Sequence, residues 1–159
     1  PKVMVCMAIS SRKMAKPFIV PSGVAVKKEV YIKDCLEKRL LPFIQSNHPP
    51  NSYLFWPDKA SSHNAKLTQD FLNEKNIEFV AKDNNPTNLP QCRPIEDLWG
   101  HLAQIVYKNG WQARNTDMLR KRILRCIKDT DFSAVQAKCS IIRNSMRACY
   151  TLGPYSCMH

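Results

Sequence analysis

No stretch of this sequence approaches the roughly 20 consecutive apolar residues that a membrane-spanning helix requires, so no membrane partner is expected and a soluble protein is. C-x-x-C spacing is missing too. The seven cysteines, Cys6, Cys35, Cys92, Cys126, Cys139, Cys149 and Cys157, are odd in number and irregularly placed. That argues against a zinc ribbon, a thioredoxin-like centre and a disulfide framework, and for reduced, mostly buried thiols in an intracellular protein. Acidic residues are few, with 13 Asp and Glu against 24 Lys and Arg, a net charge of +11 and a pI near 9.5. Such a charge favours polyanions through counterion release, at the level of affinity rather than sequence choice. The opening Pro1-Lys2-Val3 carries neither an initiator methionine nor a signal peptide, so the chain reads as a fragment or as the remnant of a longer gene.

What is present suffices for one core. The chain has 159 residues, 44% of them hydrophobic, which implies one domain followed by a helical tail. Lys2 to Ser10 is a nearly continuous apolar run and predicts a buried central strand; Lys16 to Val20 predicts a second, weaker one. From about Lys27 to Ser46, Val30, Tyr31, Cys35, Leu36, Leu40, Phe43 and Ile44 recur at three and four residues, the pattern of an amphipathic helix, with Pro42 bending or shortening its end. Asn47 to Ser52 predicts a turn and Tyr53 to Trp56 a strand, which Pro57 must end because it has no N–H to donate. Asn64 to Asn76 predicts a helix capped by Ser61 or Ser62, and Ile77 to Val80 a short strand. Lys82 to Arg93, with Pro86 and Pro90, predicts an extended loop. Pro94 suits the first position of the next helix. Two more helices are expected over about 116–128 and 133–151, the second opened by a capping box at Ser133-Ala134-Val135-Gln136.

Two acids stand out. Asp58 ends the strand Tyr53-Leu54-Phe55-Trp56, and Glu96 falls in the first turn of the Pro94 helix, where the helix dipole stabilises its charge. Thirty-seven residues separate them, room for a strand-helix-strand-helix step but not for a separate domain. Carboxylates presented in this way can share divalent ions, and on a basic chain that chemistry points to phosphodiesters of nucleic acid. Taken without their surroundings, Asp58 reads rather as a turn cap and Glu96 as a helix-dipole stabiliser; the Phe-Trp-Pro-Asp and Arg-Pro-Ile-Glu contexts reverse that. Asp97, about 100° further round the helix, is expected in solvent or paired with Arg93, and Trp56 and Trp99 are expected in the core.

The sequence resembles the catalytic domain of a mariner-type DDE transposase, in the ribonuclease-H-like superfamily. The resemblance rests on Val3-Met4-Val5 through Ala8-Ile9-Ser10, Pro17-Phe18-Ile19, Tyr31-Ile32, Leu40-Leu41-Pro42-Phe43-Ile44, Phe55-Trp56-Pro57-Asp58, Ala60-Ser61-Ser62-His63, Asn85-Pro86, Pro90 and Arg93-Pro94-Ile95-Glu96-Asp97-Leu98-Trp99-Gly100. It implies an α/β fold, a ribonuclease-H-like mixed sheet flanked by helices and incomplete at the N-terminus. The implied organisation is a partial core over 1–112 and a C-terminal helical extension over 113–159. It further implies DNA cleavage and strand transfer with Mg²⁺ or Mn²⁺, held by three carboxylates of which Asp58 is the second and Glu96 the third. The first is expected upstream of Pro1, which predicts a catalytically incomplete chain. His63 matches a family histidine near the metal and is a candidate helper, or else a helix-start cap or surface group.

Some positions depart from the family. Cys6 replaces a usual Trp, Lys13 replaces a common turn Gly, and Lys59 puts a cation beside Asp58 where it repels a metal ion. The resemblance implies DNA as partner, a homodimer and a nuclear location. Arg114, Lys121, Arg122, Arg125 and Lys128 fall near one helical side and are candidate phosphate contacts; a plain solvated face is the alternative. Two rival readings are a retained non-catalytic DNA-binding or oligomerisation domain derived from a transposon, and an inactive pseudogene product.

Overall fold

A computed structural model describes residues 1–86 and 92–153. Pro90 of the expected loop and Cys157 lie outside the described residues. The chain forms two compact units, one of Pro1–Ser22 with Asn88–His159 and one of Gly23–Thr87.

In the first unit the chain begins as a hairpin. Strands β1 (Val5–Cys6) and β2 (Phe18–Ile19) pair antiparallel, Val5 with Ile19 and Cys6 with Phe18. The ladder continues as Ala15 N–H to Ala8 O at 2.8 Å and an Ile9–Met14 bridge. Between Cys6 and Ala8 lies one residue, but between Ala15 and Phe18 lie Lys16 and Pro17. The second strand therefore bulges there, at a proline that has no N–H for the ladder. Ser10 closes the turn, its hydroxyl accepting from the N–H groups of Arg12 and Lys13 at 3.2 Å. Lys13 is not among the described residues with positive φ, so this turn does not call for glycine.

The expected buried central strand over Lys2 to Ser10 is corrected. Val3 to Ser10 is half-buried apart from an exposed Met4, because it has one pairing partner and lies on one face of a helical core. Helices α3 (Pro94–Val106), α4 (Thr116–Asp129) and α5 (Ser133–Leu152) complete the unit. Ile19, Leu98, Leu102, Leu119, Ile123 and Phe132 belong to the shared core, and Leu98 is wholly buried.

Side chains just ahead of two of these helices cap them, and one cap differs from expectation. Asn115 begins α4 by accepting from Met118 N–H at 2.9 Å. No Ser133 capping box opens α5; Asp131 takes that role, accepting from Ser133 N–H at 2.8 Å and Ser133 Oγ at 3.0 Å. A carboxylate satisfies the orphan donors at a helix start better than a hydroxyl, and the same bonds hold the Asp131 carboxyl below its ordinary 3.8.

In the second unit one run of helix, α1, passes through Lys28–Val30, Tyr31–Leu40 and Leu41–Asn47. The middle ten residues are wound as a π-helix, and Leu41 N–H reaches Leu36 O, five residues back. Pro42 follows within the helix, where it can offer no donor. Tyr31, Cys35, Leu36, Leu40 and Ile44 are its buried face, as the periodicity predicted. Asn51 takes positive φ in the expected turn. Tyr53 to Trp56 and Ile77 to Val80 meet in a single parallel bridge, Phe55 with Phe79. Between them runs α2 (Lys66–Glu74), whose start at Ala65 carries no side-chain cap. The expected Ser61 or Ser62 cap is thereby corrected: Ser62 contributes its carbonyl, which accepts from the buried Thr68 hydroxyl at 2.7 Å. Among the described residues no helix is long and apolar enough to cross a membrane.

Candidate metal and nucleic-acid sites

Backbone pairing brings the chain to Asp58 and then stops. Phe55 N–H donates to Glu78 O at 2.8 Å and Val80 N–H to Phe55 O at 2.9 Å; Pro57 then ends the ladder. What fixes the following turn is Asn85. This asparagine is 2% exposed, accepts from Trp56 Nε1–H at 2.9 Å and donates from Nδ2 to Pro57 O at 2.9 Å. One amide thus spans the two residues before Asp58. From sequence, Asn85 was legible only as part of a loop motif, because its partners lie 28 and 29 residues away.

Asp58 itself makes an Asx turn, Oδ1 accepting from Ala60 N–H at 2.8 Å. His63 approaches the same oxygen: Nδ1 lies 2.6 Å away, without the alignment of a hydrogen bond. The ring is held from behind by the buried Tyr31, with centroids 3.9 Å apart and planes at 24°. His63 thus stands directly beside Asp58. The Asp58 side chain is 59% exposed and that of His63 only 14%. The carboxylate faces solvent, and its support does not.

Glu96 belongs to the other unit. It is exposed in the first turn of α3, which Pro94 opens and Arg93 precedes. Asp97 pairs with Lys138 of α5 at 3.0 Å, a partner the sequence did not suggest; α5 packs against α3, so a lysine distant in sequence reaches it. Trp56 and Trp99 are half-buried, and Trp56 is polar-bonded rather than purely packed. Among the described residues no three His, Cys, Asp or Glu side chains gather as a metal site. Asp58 and Glu96 are each exposed carboxylates, and each by its own donor chemistry suits a hard divalent ion.

The basic residues of α4 are tied down to different extents. Lys121 pairs with Asp117 at 2.8 Å and Arg125 with Asp129 at 3.4 Å, both one turn apart and exposed. Arg122 serves α3: its Nε–H donates to Val106 O at 2.8 Å, and its guanidinium lies 4.6 Å from the Trp111 ring centroid. It thus satisfies a carbonyl at the end of that helix. Arg114 and Lys128 are exposed. A surface cavity of about 500 Å³ is lined by Lys121, Arg122, Arg125 and Asp129 with apolar Ile105 and Cys126.

The chain has a small antiparallel sheet with helices, Asp58 beyond a strand and Glu96 at a helix start. Its fold is that of the Mos1 mariner transposase catalytic domain, whose crystal structure matches with a TM-score of 0.71 at 15% identity, covering 96% of this chain and 74% of that one. A structure of the Mos1 domain with raltegravir and Mn gives 0.73 at 16% identity, over 96% and 76%; one with raltegravir and Mg gives 0.71 at 15%, over 96% and 75%. In sequence, the Tc3 transposase of Caenorhabditis elegans is 27% identical over 122 residues, 77% of this chain. The chain spans about a third of that relative's length, 35%. No family model matches. The resemblance to a mariner-like transposase catalytic domain is borne out by both sequence and fold.

Proposed function

We propose that this chain acts as part of a transposase catalytic domain on DNA, with Asp58 and Glu96 as ligands of Mg²⁺ or Mn²⁺. The observation that carries the proposal is the build of the Asp58 turn, an exposed carboxylate supported by half-buried His63 and buried Tyr31 and Asn85, within a fold shared with Mos1 structures that hold Mn and Mg. When bound, the metal would activate an attacking oxygen and stabilise the leaving one in phosphodiester cleavage and strand transfer. The chain's own residues do the rest. Ala60 N–H holds Oδ1 of Asp58, the His63 ring lies against the same oxygen, and Tyr31 keeps the imidazole from turning away. His63 thereby acts as a helper to Asp58. Arg114, Lys121, Arg125 and Lys128 would meet phosphate rather than base edges, adding a salt-sensitive contribution to affinity, while Arg122 is committed to Val106 and Trp111. A homodimer and a nuclear location belong to the same proposal.

The test is Mn²⁺ titration followed by NMR line broadening. Shared ligation predicts broadening at both Asp58 and Glu96, weakened by either Asp58→Asn or Glu96→Gln. Broadening confined to one of the two sinks the shared site. A non-catalytic DNA-binding domain is the second reading, favoured by the lack of a three-ligand cluster among the described residues. It predicts salt-dependent DNA binding that neither Asp58→Ala nor Glu96→Ala changes.

A further inference from the structure

Helices α3 and α5 run antiparallel, and three contacts mark the line between them. His101 meets Phe132 edge to face with centroids 5.6 Å apart, Asp97 meets Lys138 at 3.0 Å, and beyond the start of α3 Cys92 Sγ lies 3.0 Å from Cys149 Sγ. The six described cysteines are all thiols. A disulfide bond is about 2.05 Å long, so about 1 Å of approach would join this pair. Cys92 is 3% exposed and Cys149 9%.

Cys149 has an uncommon burden. Of the twenty residues of α5, the buried ones are Val135 and Cys149. Val135 sits in the first turn, inside the shared core. From Lys138 onward Cys139, Ile142 and Met146 are half-buried and Ile141 51%, Tyr150 93% and Leu152 77% exposed, so Cys149 is the one fully buried contact of this half of the helix. The partner, Cys92, stands just before Arg93 and Pro94, where the chain enters α3.

We propose that Cys92 and Cys149 are a redox-active dithiol, which peroxide closes into a disulfide that locks the end of α5 to the entry of α3. The chemistry balances in two steps. One thiolate attacks a peroxide oxygen, the O–O bond breaks, and sulfenic acid and water form after protonation. The second thiol then attacks the sulfenic sulfur, the S–O bond breaks, and a second water leaves. Two sulfurs are oxidised by one hydrogen peroxide, and two protons pass to the departing oxygens. Burial slows the first step and then shields the product from reducing thiols. Glu96 stands four residues beyond Cys92, so closure also restrains the turn that carries it.

The test uses the full 159-residue chain. Trypsin leaves Cys149 and Cys157 on one peptide, so a Cys157→Ser background makes the linkage unambiguous. The chain is treated with hydrogen peroxide, alkylated under denaturing conditions, digested and mapped by mass spectrometry, with melting measured before and after dithiothreitol. The expected result is a Cys92–Cys149 crosslink with loss of two hydrogens. Tm should rise by about 5–15 °C, and dithiothreitol should reverse it. Trypsin should also cut more slowly at Arg143 and Arg147 in the native protein. Cys92→Ser should lose the crosslink and the shift together. Both sulfurs still open to alkylation, sulfinic acid at either without a crosslink, or pairing with other cysteines would each overturn the proposal. Because reduced and oxidised forms of the same Cys157→Ser protein are compared, the crosslink and the Tm shift do not depend on how Cys92→Ser folds.

Discussion

The turn that carries Asp58 and the helix turn that carries Glu96 present the same functional group by opposite means. Glu96 owes its position to its neighbours in sequence: Pro94 pre-sets the first turn, and the N-terminal dipole favours the charge wherever α3 begins. Asp58 owes its position to residues far along the chain. Asn85 holds the two residues before it, His63 contacts its oxygen, and Tyr31 from α1 backs the histidine. A carboxylate at a helix start is robust to remote change, whereas one at a strand end is only as well placed as its tertiary supports.

That contrast can be broken most directly at Asn85. Asn85→Ala leaves the buried Pro57 carbonyl and Trp56 Nε1–H without their partner, and should cost about 2–3 kcal/mol in urea unfolding. It should also shift NMR signals around Asp58 while leaving those of α3 in place; unchanged Asp58 signals would refute the dependence. A smaller effect is expected at Arg122, the remote residue that serves α3. Arg122→Gln should cost about 1–2 kcal/mol through the lost Val106 bond and Trp111 stacking, yet leave the Glu96 signals unmoved, because that turn is locally determined. The smallest is at Asp131. Its folded pKa lies below the ordinary 3.8, so its contribution is full above that value and fades as pH falls through the lower folded one. The difference in urea midpoint between the native chain and Asp131→Asn should therefore shrink from pH 5 toward pH 2. A constant difference would mean that the carboxylate charge does not matter there.

The same division explains what the sequence disclosed. Helices with period 3.6, the turn at Ser10, the end of pairing at Pro57 and the start of α3 at Pro94 are written in adjacent residues, and the structure has them. The Phe-Trp-Pro-Asp and Arg-Pro-Ile-Glu segments carried the family resemblance for the same reason. Partner choices at a distance were not legible: Lys138 for Asp97, Arg122 for Val106 and Asn85 for Trp56 each require the fold first. The apolar run after Lys2 was misleading for a related reason. Hydrophobicity tells that a segment seeks cover but not how many strands will supply it, and here one does. At Ser133 the capping-box pattern lost to a carboxylate two residues earlier.

The stretch from Asp58 to Thr68 is measured in single residues. Ala60 serves twice, its N–H donating to the Asp58 carboxylate and its carbonyl accepting His63 N–H at 3.0 Å, while Thr68 ties back to Ser62. The number of links between aspartate and histidine is thus as much a part of this centre as either side chain. Lengthening the loop by a single amino acid would turn the imidazole off its oxygen even though every chemical group remained.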